Sequence, residues 1–129
     1  MKNAFLLTAL CGMILSACND DPEPEPIGYD VTFTVIEPEA DSHAMIGTEL
    51  HMEVDLEGTK AIGNIELLFI NAAGDTVVNY QTSTTETFFN VHEHYDVVAS
   101  DAGDCHMQIS AWETNYAEKI TEEVHIHVM

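Results

Sequence analysis

The residues 48–56 alternate without a break. Leu50, Met52, Val54 and Leu56 share one parity, and Glu49, His51, Glu53 and Asp55 share the other. Side chains in an extended chain point to opposite faces with a period of two, so this pattern fits a half-buried β-strand and not a helix. The same period recurs along the chain. Residues 29–36 place Val31, Phe33 and Val35 on one face before Glu37-Pro38-Glu39 ends the run. Residues 62–71 are more uniformly apolar, as expected of a strand partly covered on both faces. A turn at Ala73-Gly74-Asp75 leads to a short strand near residues 76–80. Further strands are predicted over 87–98, 104–113 and 119–128, with turns at 100–104 and around Asn115. No segment carries a helical period. About seven short strands, spaced by turn signals every 8 to 14 residues or so, predict an all-β fold: an immunoglobulin-like or fibronectin type III-like β-sandwich.

The ends of the chain read differently. Lys2 is followed by an apolar run over residues 4–15, too short to span a membrane comfortably, and then by Leu15-Ser16-Ala17-Cys18. An aliphatic residue, two small residues and a cysteine form a bacterial lipobox, in which the thiol accepts the lipid before cleavage. The expected organisation is a lipoprotein signal peptide over 1–17, an acidic Pro-rich tether over 18–28 that begins with lipidated Cys18, and a β-sandwich domain over 29–129. The tether reads Asn-Asp-Asp-Pro-Glu-Pro-Glu-Pro after the cysteine; alternating proline and acid favours an extended, solvated chain. The Asn19-Asp20-Asp21 run resembles the acidic surface-export signal of Bacteroidota lipoproteins. The expected location is thus the outer membrane, lipid-anchored and exposed at the cell surface, or facing the periplasm where the acidic run is only a tether, with the membrane engaged through Cys18 and an outer-membrane protein as a candidate partner.

Charge narrows the partners further. The chain has 3 Lys+Arg against 23 Asp+Glu, a formal net charge of −20, and loss of Lys2 with the signal deepens the imbalance. Such a surface repels nucleic acid and anionic lipid headgroups and attracts cations. Cysteine usage is equally restrictive. With Cys11 removed and Cys18 acylated, Cys105 is alone and no intramolecular disulfide can form. Its inward parity marks it as a small core residue. Burial of about ten aliphatic and aromatic side chains, at roughly 1.5–3 kcal/mol each, offsets the ordering entropy only narrowly. Trp112 and Tyr116, near the last turn, read either as a recognition tip or as core and rim, the second being favoured.

The candidate chemistry lies with the histidines, seven in a chain with so few lysines. Four form H-x-H pairs: His92 with His94, and His125 with His127. On a strand, residues i and i+2 project from one face about 6.5–7 Å apart, and two imidazoles can converge on zinc, copper or nickel. If strands 48–56 and 87–98 are neighbours, His51 and Glu53 meet His92 and His94 on one outer face, and His43 joins from the rim. Glu93 has inward parity and is a candidate ligand only if the strand opens or bulges there. On the other sheet, His106, His125 and His127 form a candidate second cluster. No serine or cysteine triad and no phosphate loop stands out, so a non-enzymatic role is expected.

Three segments carry a family resemblance. The stretch from Asp41 to Glu53 looks like H-A-x-x-G-x-x-L-H-x-E. Val91-His92-Glu93-His94-Tyr95-Asp96-Val97 looks like F-H-E-H-I-D-I, and Gly103-Asp104-Cys105-His106-Met107-Gln108 looks like G-D-Y-H-F-H. Together they resemble the Bacteroidota lipoprotein family catalogued as domain of unknown function 4625, over roughly residues 30–128. Carried across residue by residue, the resemblance points to His43, His51, Glu53, His92, Glu93, His94 and His106. Gln108, Ile70 and Cys105 depart from its pattern, which often has histidine at the first two positions and tyrosine at the third. The resemblance implies fold and location rather than an activity. Two functions stay open: a lipoprotein that binds zinc or copper for capture, storage or delivery, and a metal-free structural or adhesive accessory module of an outer-membrane complex.

Overall fold

The computed structural model describes residues 28–115 and 118–129. The expected signal segment, Cys18, the expected tether up to residue 27 and Tyr116 lie outside the described residues. Eight strands follow in order: β1 (Val31–Glu37), β2 (Ser42–Ala44), β3 (Glu49–Gly58), β4 (Gly63–Ile70), β5 (Thr76–Thr84), β6 (Phe88–Asp96), β7 (Gly103–Trp112) and β8 (Ile120–Val128). One sheet has the order β1-β3-β6 and the other β2-β8-β7-β4-β5. All pairings are antiparallel except the short β2–β8 contact. The result is an immunoglobulin-like β-sandwich, as the alternation predicts. Two details differ from the sequence reading. The chain gains β2, three residues beyond the cis Glu37–Pro38 peptide, too short to show a period. The β5 strand also runs on to Thr84, because its Thr-, Asn- and Gln-rich end has no apolar alternation to reveal it.

The inward rows of both sheets meet in one cluster of nineteen buried apolar residues, including Met52, Val54, Leu56, Leu67, Phe69, Val91, Met107, Ile109 and Ile126. That is nearly twice the core anticipated from sequence, because β4 and β7 contribute whole rows from the middle of the larger sheet. Cys105 is one of these residues. Its thiol donates to the Asp101 carbonyl at 3.0 Å, and burial pushes its pKa up, so it stays a thiol. Among the described residues no helix is long and apolar enough to cross a membrane. The only helical turn there is the three-residue 3-10 segment Ala99–Asp101.

That turn supplies a buried polar tie. Asp101 is fully buried. One carboxylate oxygen accepts from Asn71 Nδ2 at 3.2 Å; the other accepts from Tyr95 Oη at 2.9 Å and the Val98 N–H at 3.0 Å. Asn71 in turn accepts from the Ala73 and Asp75 N–H groups of the β4–β5 turn. One carboxylate therefore joins the end of β6, the β6–β7 connection and the β4–β5 turn. Burial alone would raise the Asp101 pKa, but the three donated hydrogen bonds outweigh it and hold the carboxyl below its usual range. Tyr95 is pushed up to about 12, by burial first and by Asp101 second. A carboxylate whose folded pKa is depressed stabilises the fold above its unfolded value of about 3.9, and that stability is lost as pH falls through the folded value. Asp101→Asn is therefore expected to cost about 2 kcal/mol at pH 7. The gap to wild type should shrink steadily below about pH 4, where the native carboxyl also becomes neutral. Urea unfolding across pH measures both.

Candidate metal centre

Pairing of β3 with β6 is what assembles the site. The register places His51 opposite His94 and Glu53 opposite His92, with Glu49 opposite Asp96 one step further along. The ladder continues past both strands: the Gly47 N–H bonds to the Val97 carbonyl at 2.9 Å, and the Val97 N–H bonds to the Thr48 carbonyl at 3.0 Å. Gly47, at φ +84, makes the turn that allows this. The register is further fixed by the inward row, since a slip of one residue would turn Met52, Val54 and Leu56 out to water.

His51, His92 and His94 each offer a ring nitrogen, and these atoms lie within 4.8 Å of one another. Ring centroids are 4.4 Å apart for His51 and His94 and 4.6 Å for His92 and His94. All three rings are exposed on the outer face of the smaller sheet. Three convergent imidazoles from two adjacent strands form a donor set that can hold a transition metal, with the hemisphere away from the sheet left open.

Glu49 organises two of the rings. Its Oε1 lies 3.0 Å from His51 Nε2 and 2.9 Å from His94 Nδ1. An imidazole that donates one N–H to a carboxylate keeps its lone pair on the other nitrogen, the arrangement by which carboxylates orient metal-ligating histidines. Parity puts Glu49 on this face, two residues before His51, but its role follows only from the side-chain positions. Glu53 forms the fourth corner of the rectangle; its Oε1 accepts from Asn90 Nδ2 at 3.0 Å, and Asn90 also donates to Asp55 at 2.7 Å.

The other sequence candidates lie elsewhere. Glu93 sits opposite Met52, half-buried on the inward side of the sheet, and does not share the face of His92 and His94. His43 is not one of the three donors within 4.8 Å of one another, but it lines a groove of about 480 Å³ together with Glu49 and His51. It lies on β2, in register with His127 of β8, and its ring stacks on that of His127 with centroids 5.5 Å apart. The reason is β2 itself: this short strand carries His43 to the edge of the larger sheet. His106 and His125 are opposite one another, with ring centroids 6.1 Å apart. Asp104, which the sequence does not single out as a ligand, pairs with His127, its Oδ1 lying 2.5 Å from His127 Nδ1.

Comparison with known proteins bears on the fold. No family model and no curated protein matches the chain. Among solved structures, it is similar to the CARDB domain of a Pyrococcus furiosus protein crystallised in complex with di-metal ions. The TM-score is 0.55 at 10% identity, over 78% of this chain and 89% of that one. The solution structure of the same domain gives a TM-score of 0.52 at 12% identity, over 78% and 95% of the two chains. These likenesses agree with the immunoglobulin-like architecture seen here.

Glu49→Gln isolates the orienting role. The ion pairs are exposed, so metal-free stability is expected to change by less than about 0.5 kcal/mol. Affinity for zinc should fall about 10-fold or more, as when other orienting partners are removed. Thermal unfolding and competition with a chromogenic chelator provide the two readouts.

Proposed function

We propose that this protein is a lipid-anchored envelope protein whose β-sandwich binds a transition-metal ion, zinc or copper, through His51, His92 and His94, for capture, storage or delivery. The observation that carries the reading is the convergence of three imidazoles on one face, with Glu49 orienting two of them. The donor set is nitrogen-rich with carboxylates around it, which suits borderline metals better than calcium or magnesium. The surrounding acidic surface raises the local concentration of cations. The similar archaeal domain was crystallised with di-metal ions, which supports a metal-binding role for this one. A surface-exposed outer-membrane location rests on the lipobox around Cys18, the Asp20-Asp21 run and the resemblance to the Bacteroidota lipoprotein family. A protein partner in that membrane is part of the same reading.

The test uses full-length protein purified without a histidine tag. A ligand that binds only the folded state stabilises it by about 2.7 kcal/mol at 100 times its dissociation constant, a rise of roughly 10 to 20 °C in Tm for a domain of this size. Zinc or copper at pH 7.5 is expected to give such a rise. At pH 5 the rise should be much smaller, because protons compete for the imidazole lone pairs. His92→Ala with His94→Ala should remove the part of the rise that this cluster supplies while leaving the metal-free Tm nearly unchanged, since both residues are exposed. No metal-dependent shift in the wild-type protein would sink the proposal. Independently, Cys18→Ser is expected to move the protein from the membrane to the soluble fraction; continued membrane association would overturn the anchor.

A further inference from the structure

The rectangle on β3 and β6 has a counterpart on the opposite face of the sandwich. In the first, His51 faces His94 and Glu53 faces His92. On β7 and β8, Asp104 faces His127 and His106 faces His125. Each rectangle is built from two antiparallel strands, two donors of one parity on each strand, with three histidines and one carboxylate at the corners. Cross-strand neighbours on one face lie about 4.5–5.5 Å apart, so both rectangles have the same backbone dimensions.

An independent feature coincides with the second rectangle. A groove of about 360 Å³ is lined by Asp104, His106, His125 and His127, with Asp41 at its side. Asp41 is held there by its N–H bond to the His125 carbonyl at 2.8 Å. The His43 ring, stacked on His127, stands at the end of the Asp104–His127 row. We infer that this groove is a second transition-metal site, with Asp104, His106, His125 and His127 as its donors. Among the described residues, only His51, His92 and His94 already stand as three donors within 4.8 Å of one another. For the second set to hold an ion its side chains must rotate, with His106 and His125 turning from Glu123, whose carboxylate oxygens lie 3.9 and 3.4 Å from their Nε2 atoms. His125 and His127 are exposed, and the backbone spacing already matches that of the first rectangle.

The site does not depend on the His51 cluster, and stoichiometry separates the two. Equilibrium dialysis of the tag-free, full-length protein against zinc, read by elemental analysis, is expected to give two ions per chain. His92→Ala with His94→Ala should leave one, and so should His125→Ala with His127→Ala; the quadruple variant should leave none. Circular dichroism checks that each variant is folded. If the β8 variant does not fold, Asp104→Asn with His106→Ala reads the same site from β7. Saturation at one ion in wild type, with none in the His92/His94 variant, overturns the second site and leaves the first standing. One ion in the His92/His94 variant and none in the His125/His127 variant supports the second site against the first. Two ions in every variant, or none in wild type, overturns it.

Discussion

Everything at the candidate centre depends on the antiparallel register between β3 and β6. Some forty positions of chain separate His51 from His92 and His94, and only the ladder brings them together. The same ladder aims Met52, Val54 and Val91 into the core. Inward and outward rows are locked to one another because they alternate on the same backbone. The hydrophobic effect that fixes the inward row thereby fixes the position of the outward histidines at no further cost. A donor set placed on paired strands is therefore more precisely held than one carried on loops, and Glu49 refines two ring orientations on top of it.

This coupling explains how much could be read before the structure. Parity alone separates His51, Glu53, His92 and His94 from the core residues between them, and the antiparallel neighbour relation follows once the fold is taken to be a sandwich. Glu93 also obeys parity: it lies opposite Met52 on the inward side. What parity does not encode is contact beyond the pair. Glu49 satisfies the rule no better than Asp55 does, yet only Glu49 lies between two rings. The pairing of His43 with His127 is hidden for a different reason. A three-residue strand has no readable period, and its parallel pairing with β8 is a long-range contact without a local signature. The end of β5 escaped for want of apolar residues. The Asp101 network was equally hidden, because a buried aspartate in a turn reads as a turn residue until its three donors are seen.

The size of the core changes what a metal would mean for this domain. With about ten buried side chains, metal binding could have been needed for folding, as in small zinc domains. Nineteen buried apolar residues and a satisfied buried carboxylate make the sandwich self-sufficient. Metal would then add stability through linkage without being the condition for structure. Asp101 contributes to that self-sufficiency by tying the end of β6, the β6–β7 connection and the β4–β5 turn together.

The flatness of a sheet also limits how an ion would be held. Ligands that rise from two neighbouring strands approach it from one side, so the solvent side stays open to water or to a donor from another molecule. A closed structural site of four ligands shields its metal, whereas one with an open position can exchange ligands. His51, His92 and His94 are all exposed, and no element of the described fold covers them. An ion there could pass to an incoming ligand without unfolding or hinge motion, because the ligand would add to the open side before the histidines let go. In the proposed metal-binding role, that geometry would suit capture and hand-over better than long-term storage.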